Sequence, residues 1–539
     1  LSISAQEIMM LMKKTITVVC ILQLAFLKSE CLLAQAPVIE WEHSYGGSNN
    51  DDAFSVRQTT DGGFIAVGSA TSYDGDVTGL HGNGDMWVLR IDNGGSIRWQ
   101  KCFGGSSIDD GHSIVQTPDG GYCALGMSQS IDGDVTGNHG IVDFWLARID
   151  SGGSLLWQKS LGGSGNDYAY GLDNTSDGGF ILSGSSRSSD GDVSINHGNE
   201  DYWIVKTDSA GGIEWEKSFG GTGPDRAQAA HQTRDGGYIV AGFSNSSDGD
   251  VAGNHGAEDG WILKLDATGG IQWQKSIGGT NGDGMYDLRQ TTDSGYIVSG
   301  YSYSNDGDVS GLHGTDDCWV VKLDSVGNIE WQHPVGGTGY EYGYAAEQAS
   351  NGGYIVAGGT TSNNGEISGN HSTGNIPDWN VVKLDEYGVI EWQLCLGGTA
   401  YDDARWIEQS SDGGFIVAGN SKSDDGDISG HHSGTNTSDF WIVKLSPEPV
   451  SANDHPNKIV ELTATMISST ILNLTFSSGN IGERRLTIAD IAGRILYVDE
   501  IQATSGVNKK EIEVGDLAKG IYIVTLSGNE WSNSAEVMK

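Results

Sequence analysis

Along residues 38–446 short apolar runs alternate with stretches rich in Gly, Asp, Ser and Asn, and the alternation repeats. Its marker is a Trp in the setting Ile/Leu-x-Trp-Gln-Lys, closed by a Gly pair; Ile97–Gly105 is one copy. The Trp stands at Trp41, Trp99, Trp157, Trp215, Trp273, Trp331 and Trp392, with five intervals of 58 residues and one of 61. A fixed period of this size marks a repeat architecture, in which units bury one another's apolar faces. The unit from Trp157 to Glu214 predicts four strands. The Trp strand ends at its Gly pair, and an acidic residue follows ten positions after the Trp: Asp51, Asp109, Asp167, Asp225, Asp283, Glu341 and Asp402 in turn. The next strand, Tyr168–Asn174, turns at Asp177-Gly178. That dipeptide predicts a tight type I′ hairpin, whose central residues need positive φ. Six of the seven units keep Asp-Gly or Asn-Gly there, and the fifth has Asp293-Ser294. Gly179–Gly184 returns, a long polar loop follows, and Tyr202–Asp208 leads back to the next Trp strand.

Four short strands joined in order make an antiparallel meander. Such sheets bury each other when packed radially, so the expected fold is all-β, a seven-bladed β-propeller over residues 37–446. The third-strand Trp residues (Trp87, Trp145, Trp203, Trp261, Trp319 and Trp441) belong to the contacts between sheets; Asn380 takes that place in the sixth unit, after Trp379. Large aromatics dominate core burial, so all these repeated Trp read as packing. The chain opens with a Trp strand, Ile39–Tyr45, and its seventh unit stops after Phe440–Leu445. The first strand is therefore expected to complete the last blade and remove a free edge.

Composition narrows the class. The formal net charge is −41, with 82 Gly and 8 Pro. Nucleic acid and anionic membranes are excluded as partners, because phosphate binding needs clustered Lys and Arg. The surplus carboxylates serve solubility or attract cations such as Ca²⁺. Four of the six Cys (Cys102, Cys123, Cys318 and Cys395) lie beyond the leader and show no metal-ligand spacing, so neither a disulfide framework nor a zinc site is expected. Residues 1–36 read as a secretory signal peptide with an upstream extension: Lys13-Lys14, the apolar run Thr15–Leu27, then Ala34-Gln35-Ala36. Residues 447–453 read as a linker, and 454–539 as a small β-sandwich with strands at Ile471–Phe476, Arg485–Ile488 and Ile521–Leu526.

The last region carries Leu486-Thr-Ile-Ala-Asp490-Ile-Ala-Gly493-Arg494-Ile495, then Leu517-Ala-Lys-Gly520-Ile-Tyr522-Ile-Val524, and a terminal strand running to Lys539. It resembles the type A C-terminal sorting domain of the type IX secretion system of Bacteroidota. The usual opening Pro-Asn-Pro is here Pro456-Asn457-Lys458. The resemblance implies export by the signal peptide, then passage across the outer membrane through contact with the type IX machinery, leaving the protein secreted or surface-attached. The repeats are similar to those of secreted propeller proteins of the same bacteria, which imply no defined activity.

The long loop repeats Asp-Gly-Asp-Val-x-Gly-x-His-Gly-x-x-Asp. It places Asp74, Asp76 and Asp85; Asp132, Asp134 and Asp143; Asp190, Asp192 and Asp201; Asp248, Asp250 and Asp259; Asp306, Asp308 and Asp317; and Asp425, Asp427 and Asp439 on one face, each set with a His. The sixth copy is weaker, with Asn364, Glu366, His371 and Asp378. Two readings stand. Asp-x-Asp with backbone carbonyls supplies oxygens for calcium, though the spacing is not an EF-hand. Alternatively, each Asp makes an Asx turn and each His locks the loop. The sixth and seventh loops each carry three extra residues, so Asn375, Trp379, His431 and Asn436, with the singular Trp406, form the candidate ligand site; amides beside an exposed Trp suit a carbohydrate. No nucleophile elbow, HExxH or phosphate loop is present. The reading is a monomeric, non-enzymatic secreted module that binds an extracellular protein or glycan through its acidic loop face. The alternative is a polysaccharide hydrolase or lyase. An enzyme would show singular carboxylates in a deep central pocket, and a binding module near seven-fold symmetry.

Overall fold

The computed structural model describes residues 35–372, 374–432, 436–449, 459–466, 470–478, 482–490, 494–503, 506–515, 517–527 and 532–538. The signal-peptide reading thus falls almost wholly outside the described residues. Every described element is a strand, and contacts divide the chain into Leu1–Ser446 and Pro447–Lys539.

The first unit holds repeated four-stranded antiparallel sheets, like the blades of a propeller. Sheet I comprises Asp51–Gln58, Phe64–Ala70, Asp85–Ile91 and Ile97–Phe103 in that order. Sheets II to VI repeat it, their first strands being Asp109–Gln116, Asp167–Asn174, Asp225–Gln232, Asp283–Gln290 and Glu341–Gln348. Sheet VII takes Asp402–Gln409, Phe415–Ser421 and Asp439–Leu445, and Ile39–Tyr45 from the start of the chain pairs antiparallel with Asp439–Leu445 as its fourth strand. Each Trp strand is the fourth of its sheet.

The repeated residues explain why these sheets stack. The third strands are buried along their whole length, and their Trp rings are fully buried. A buried indole N–H needs an acceptor. The Gln or Glu after the Trp of the fourth strand supplies it: Trp87 Nε1 donates to Gln100 Oε1 at 2.8 Å, Trp203 to Glu216 at 3.0 Å and Trp441 to Glu42 at 2.9 Å. The same rings pack across neighbouring sheets, as Trp87 does on Phe440 at 4.5 Å and Trp203 on Phe144 at 4.7 Å. The Gln ending each first strand accepts from the turn of the neighbouring sheet: Thr60 N–H to Gln116 at 2.8 Å, Ser176 to Gln232 at 2.7 Å, and Ser411 to Gln58 at 2.7 Å, which joins sheet VII to sheet I. Pro118 has no N–H to donate. There the neighbouring sheet has Asn174 instead of Gln, and its Nδ2 donates to the Gln116 carbonyl at 3.0 Å.

The Asp-Gly turns differ from expectation. Among the described non-Gly residues only Ser294 has positive φ, at 72°; Gly62 and Gly178 have φ of 85° and 86°, and the Asp before them is not positive. The turn is therefore not type I′. Gly62 N–H bonds Thr59 O at 2.9 Å, and a three-residue loop ends on a single left-handed residue.

The second unit has a three-stranded sheet (Ile459–Met466, Ile471–Ser478 and Gly506–Glu513) and a four-stranded one (Ile495–Ala503, Gly482–Asp490, Ile521–Ser527 and Ser532–Met538). Leu472, Leu474 and Phe476 of the first share a core with Leu486, Ile488 and Val524 of the second.

Deleting residues 35–45 bares the backbone edge of Asp439–Leu445 and the indole N–H of Trp441. The variant is expected to aggregate or melt well below the intact chain. Size-exclusion chromatography and calorimetry measure this, and a monomer of unchanged Tm would show the pairing to be dispensable.

Candidate functional site

The loop face is held by its own repeated carboxylates. The acid opening each first strand is fully buried. Asp51 accepts the N–H of Gly47 at 2.8 Å, of Thr71 at 2.9 Å and the Ser72 hydroxyl at 2.6 Å. Glu341 does the same work in sheet VI, taking Gly337 N–H at 3.0 Å and the Thr360 hydroxyl at 2.9 Å. The Gly pair has no room for side chains: a Cβ on Gly46 would meet Asp439 at 2.7 Å and Asp51 at 2.9 Å.

The Asp-x-Asp pairs bond backbone as well. Asp132 accepts Ser106 N–H at 2.7 Å, Asp190 accepts Ser164 at 2.7 Å and Asp248 accepts Thr222 at 2.7 Å. The second Asp of the pair accepts the first Gly N–H, as Asp192 does from Gly162 at 3.2 Å. The His then closes the loop: His81 gives both its backbone N–H (2.9 Å) and its Nδ1 (2.7 Å) to Asp85, and His371 and His432 do so to Asp378 and Asp439 across the longer loops. Among the described residues no three His, Cys, Asp or Glu side chains converge as metal ligands. One oxygen of Asp85, Asp143, Asp201, Asp259, Asp317 and Asp439 is buried without a partner, while in sheet VI the Ser372 hydroxyl reaches Asp378 at 3.1 Å. Each of these orphaned oxygens lies beside the acid that opens the next first strand, so they are pairs of carboxyls rather than a cage of ligands.

The inserted-loop site does not assemble as expected. Trp379 is fully buried, in tilted contact with Trp441 at 4.1 Å and with its Nε1 on Asn420 O at 3.3 Å, because it stands at the second position of its strand and faces the next sheet, as Phe440 faces Trp87. Asn375 and Asn436 are exposed, and His431 is bonded within its own loop to Thr437 O at 3.1 Å. Trp406 belongs elsewhere. It lies on the first strand of sheet VII and lines an internal cavity.

That cavity is where the repeat breaks. Every first strand has a register shift at its fourth residue, a β-bulge such as Ala53/Ser55 or Ala404/Trp406. A bulge leaves its extra residue out of the ladder and re-aims the side chain. The seven bulged residues are Phe54, His112, Tyr170, Gln228, Tyr286, Tyr344 and Arg405, and all seven line one cavity of about 200 Å³. Its rings touch in sequence: Phe54 stacks on His112 at 4.7 Å, His112 meets Tyr170 edge-on at 5.6 Å, and Tyr286 meets Tyr344 at 4.7 Å. Burial holds the His112 imidazole down at about 4, so it is a neutral ring, and burial keeps the Tyr286 and Tyr344 phenols protonated. Arg405 lies over the Tyr344 ring at 4.3 Å and pairs with Asp403 at 2.8 Å.

Towards the turns, the seventh position of the first strands also varies. Arg57 pairs with Glu408 at 3.1 Å and His231 with Asp173 at 2.8 Å. Trp406 sits between the guanidiniums of Arg57 (4.3 Å) and Arg289 (5.3 Å). Burial opposes ionisation of Asp287, but Arg289 and His231 outweigh it and hold its carboxyl low. The loop face thus repeats while the cavity lining does not. The bulge residues have a sequence signal, a variable fourth position in each first strand, but it points to one site only once the backbone shows the bulge.

Residues 468–539 match the family described as secretion system C-terminal sorting domain. A stretch of 202 residues, 36% of this chain, is 27% identical to Regulatory protein FlaEY of Caulobacter vibrioides and spans 21% of that protein's length. Among solved structures, the chain is similar to BBS1N in complex with ARL6DN (10% identity, 77% of this chain, 98% of that chain, TM-score 0.40). It is likewise similar to a DUF4221 member from Bacteroides vulgatus (8%, 77%, 98%, 0.33) and to Synechocystis apocarotenoid oxygenase (10%, 69%, 95%, 0.34).

Two measurements check the loop chemistry. Because the loop carboxylates already hold backbone N–H groups, changing from chelator to millimolar Ca²⁺ is expected to leave Tm unmoved; a large saturable rise would mean the folded state binds the ion. The pH dependence has two arms. Burial raises Asp51, Asp110 and Asp402 to about 6 in the fold, so their contribution is complete below the ordinary carboxyl range and is lost as pH rises through about 6. For Asp177, Asp235 and Asp293 burial acts upward, but Thr hydroxyls and Lys206, Lys264 and Lys322 outweigh it and hold them at about 2; their contribution is lost as pH falls through that value. The highest Tm is therefore expected at roughly pH 4 to 5. Calorimetry from pH 2 to 8 reads it, and a maximum above pH 7 would contradict the buried-carboxyl account.

With its sorting domain at residues 468–539, the protein is one that type IX secretion delivers to the cell surface or beyond it.

Proposed function

We propose that the protein is a secreted, non-enzymatic binding module whose seven sheets close into a propeller and whose ligand enters the central channel, not the acidic loop face. One observation carries the reading: a bulged residue from each of the seven first strands lines a single cavity, while the repeated loop residues bond their own backbone. Closure is supported by contacts between sheets VII and I of the kind seen between other neighbours. Asp51 N–H bonds Ser438 O at 2.6 Å, as Asp109 N–H bonds Gly84 O at 2.9 Å between sheets II and I.

The alternative, a hydrolase or lyase acting on polysaccharide, has one observation in its favour. Asp287 is a singular carboxylate in the cavity, 3.7 Å from His231. Glycoside hydrolysis calls for two carboxyl groups flanking the bond. Asp287 is the only carboxylate among the described cavity-lining residues, and it lies 3.6 Å from Arg289.

The test uses the intact chain against immobilised polysaccharides, peptides and small metabolites. Ala229→Trp fills the cavity, and Asp248→Ser alters only a loop. Binding lost in the first variant and kept in the second is expected. The reverse pattern would return the ligand to the loop face, and release of new reducing ends from a polysaccharide would favour the enzyme.

A further inference from the structure

We infer that the cavity takes a small uncharged aromatic ring bearing a hydroxyl or N–H on one edge, of the phenol or indole class, and that Tyr170 and Gln228 meet that edge. This rests on the reading of the channel as the binding site and names its ligand class.

The polar groups free to meet a ligand lie on one arc of the wall. Sheets II to V contribute His112, Tyr170, Gln228 and Tyr286, all half-buried and all lining the cavity. Among the described residues no hydrogen-bond partner meets any of these four side chains, and their polar atoms keep accessible surface. None is charged: His112 is a neutral ring, and burial pushes the Tyr170 phenol up to about 12. Imidazole, phenol and amide each donate and accept, so this arc can hold a hydroxyl or an N–H.

The other arc has nothing free to offer. Phe54 carries no polar group and stacks on His112 at 4.7 Å. Arg405 covers the Tyr344 ring at 4.3 Å and is paired with Asp403 at 2.8 Å. Leu172, Ala229 and Ala230 complete the lining with Trp406, whose Nε1 is buried, so that its indole shows the cavity only carbon.

This asymmetry selects the ligand. The charged groups in the lining are engaged, Arg405 by Asp403 and Asp287 by Arg289 at 3.6 Å, so a charged ligand would enter without a free counterion. A polyol has hydroxyls around its whole rim, and those turned towards Phe54, Leu172 and Ala229 would lose water without gaining a partner. An aromatic ring with one polar edge matches a wall that is polar on one side and carbon on the other, and it stacks or packs edge-on against Phe54 and the tyrosines. Size agrees. A cavity of about 150 Å³ holds benzene, and the volume here is about 200 Å³, enough for a single substituted ring. The aromatic wall also continues towards the loop face, through Tyr301 at 5.5 Å from Tyr286 and Tyr342 at 6.1 Å from Tyr344, which marks the side of entry.

Saturation-transfer NMR of the intact protein with phenol, indole and toluene tests this, with cyclohexanol, glucose, benzoate and benzylamine as saturated and charged counterparts. Phenol or indole is expected to bind the unaltered protein at least about tenfold more tightly than any of those counterparts. Tyr170→Phe with Gln228→Leu removes two polar tips and keeps their bulk. In that variant Kd for phenol or indole is expected to weaken about tenfold, the loss of one hydrogen bond, while toluene binds as before, a pattern that a folding defect would not give. Binding of glucose or of a charged probe in preference, binding of no aromatic probe, or equal binding of phenol and cyclohexanol would each overturn the assignment, and these comparisons need no variant. If no aromatic probe binds while Ala229→Trp still abolishes capture of another ligand, the channel reading stands and only the aromatic class fails. If Ala229→Trp leaves all capture unchanged, the channel reading fails as well.

Discussion

The fold depends on a buried carboxylate at the head of each first strand. Asp51 and its counterparts gather the N–H of the second Gly of the pair and the hydroxyls around the start of the long loop, and so fix how one sheet hands the chain to the next. The bond is demanding in both directions. The acid needs donors because it is out of water, and the glycines are needed because a methyl group at either would strike a carboxylate or a carbonyl within 3 Å. Even the one conservative change, Glu341, keeps both contacts. The period of the sequence is the period of this junction.

A second set of bonds explains the rest of the repeat. The Gln or Glu after the fourth-strand Trp satisfies the third-strand indole wherever one is present, and the terminal Gln of the first strand holds the neighbouring turn. Pro118 and Asn174 show the logic at its exception: where the donor is missing, the acceptor is replaced by a residue that bonds differently. Side chains that recur in every unit are thus committed to the scaffold, which leaves little of the loop face for a ligand.

The repeat, its four strands and the pairing of Ile39–Tyr45 with the last sheet were legible in the sequence, because each rests on residues that recur. The turn type was not, since Asp-Gly permits both a type I′ turn and a longer loop with one left-handed residue, and only backbone geometry separates them. The three-residue insertion before Trp379 hides that it stands at the second position of a third strand; in the fold it packs on Trp441 as Phe440 packs on Trp87. Trp406 is singular, as its sequence position suggests, but lines the internal cavity instead of lying beside the inserted loops. The cavity needed the backbone: position four of the first strands varies visibly, but a β-bulge leaves no mark on an alternating pattern, so nothing in the sequence shows that these seven residues, five of them aromatic rings, converge.

The pairing of Ile39 with Leu445 joins the first strand made to the last one in the sheet. During synthesis and transport Ile39–Tyr45 has no partner until the whole repeat region has followed it. Closing so long a loop is entropically unfavourable and is recovered only when every intervening sheet is in place. Sheet VII therefore acts as a test of completeness: a chain cut short anywhere before Asp439 leaves Ile39–Tyr45 without its partner strand.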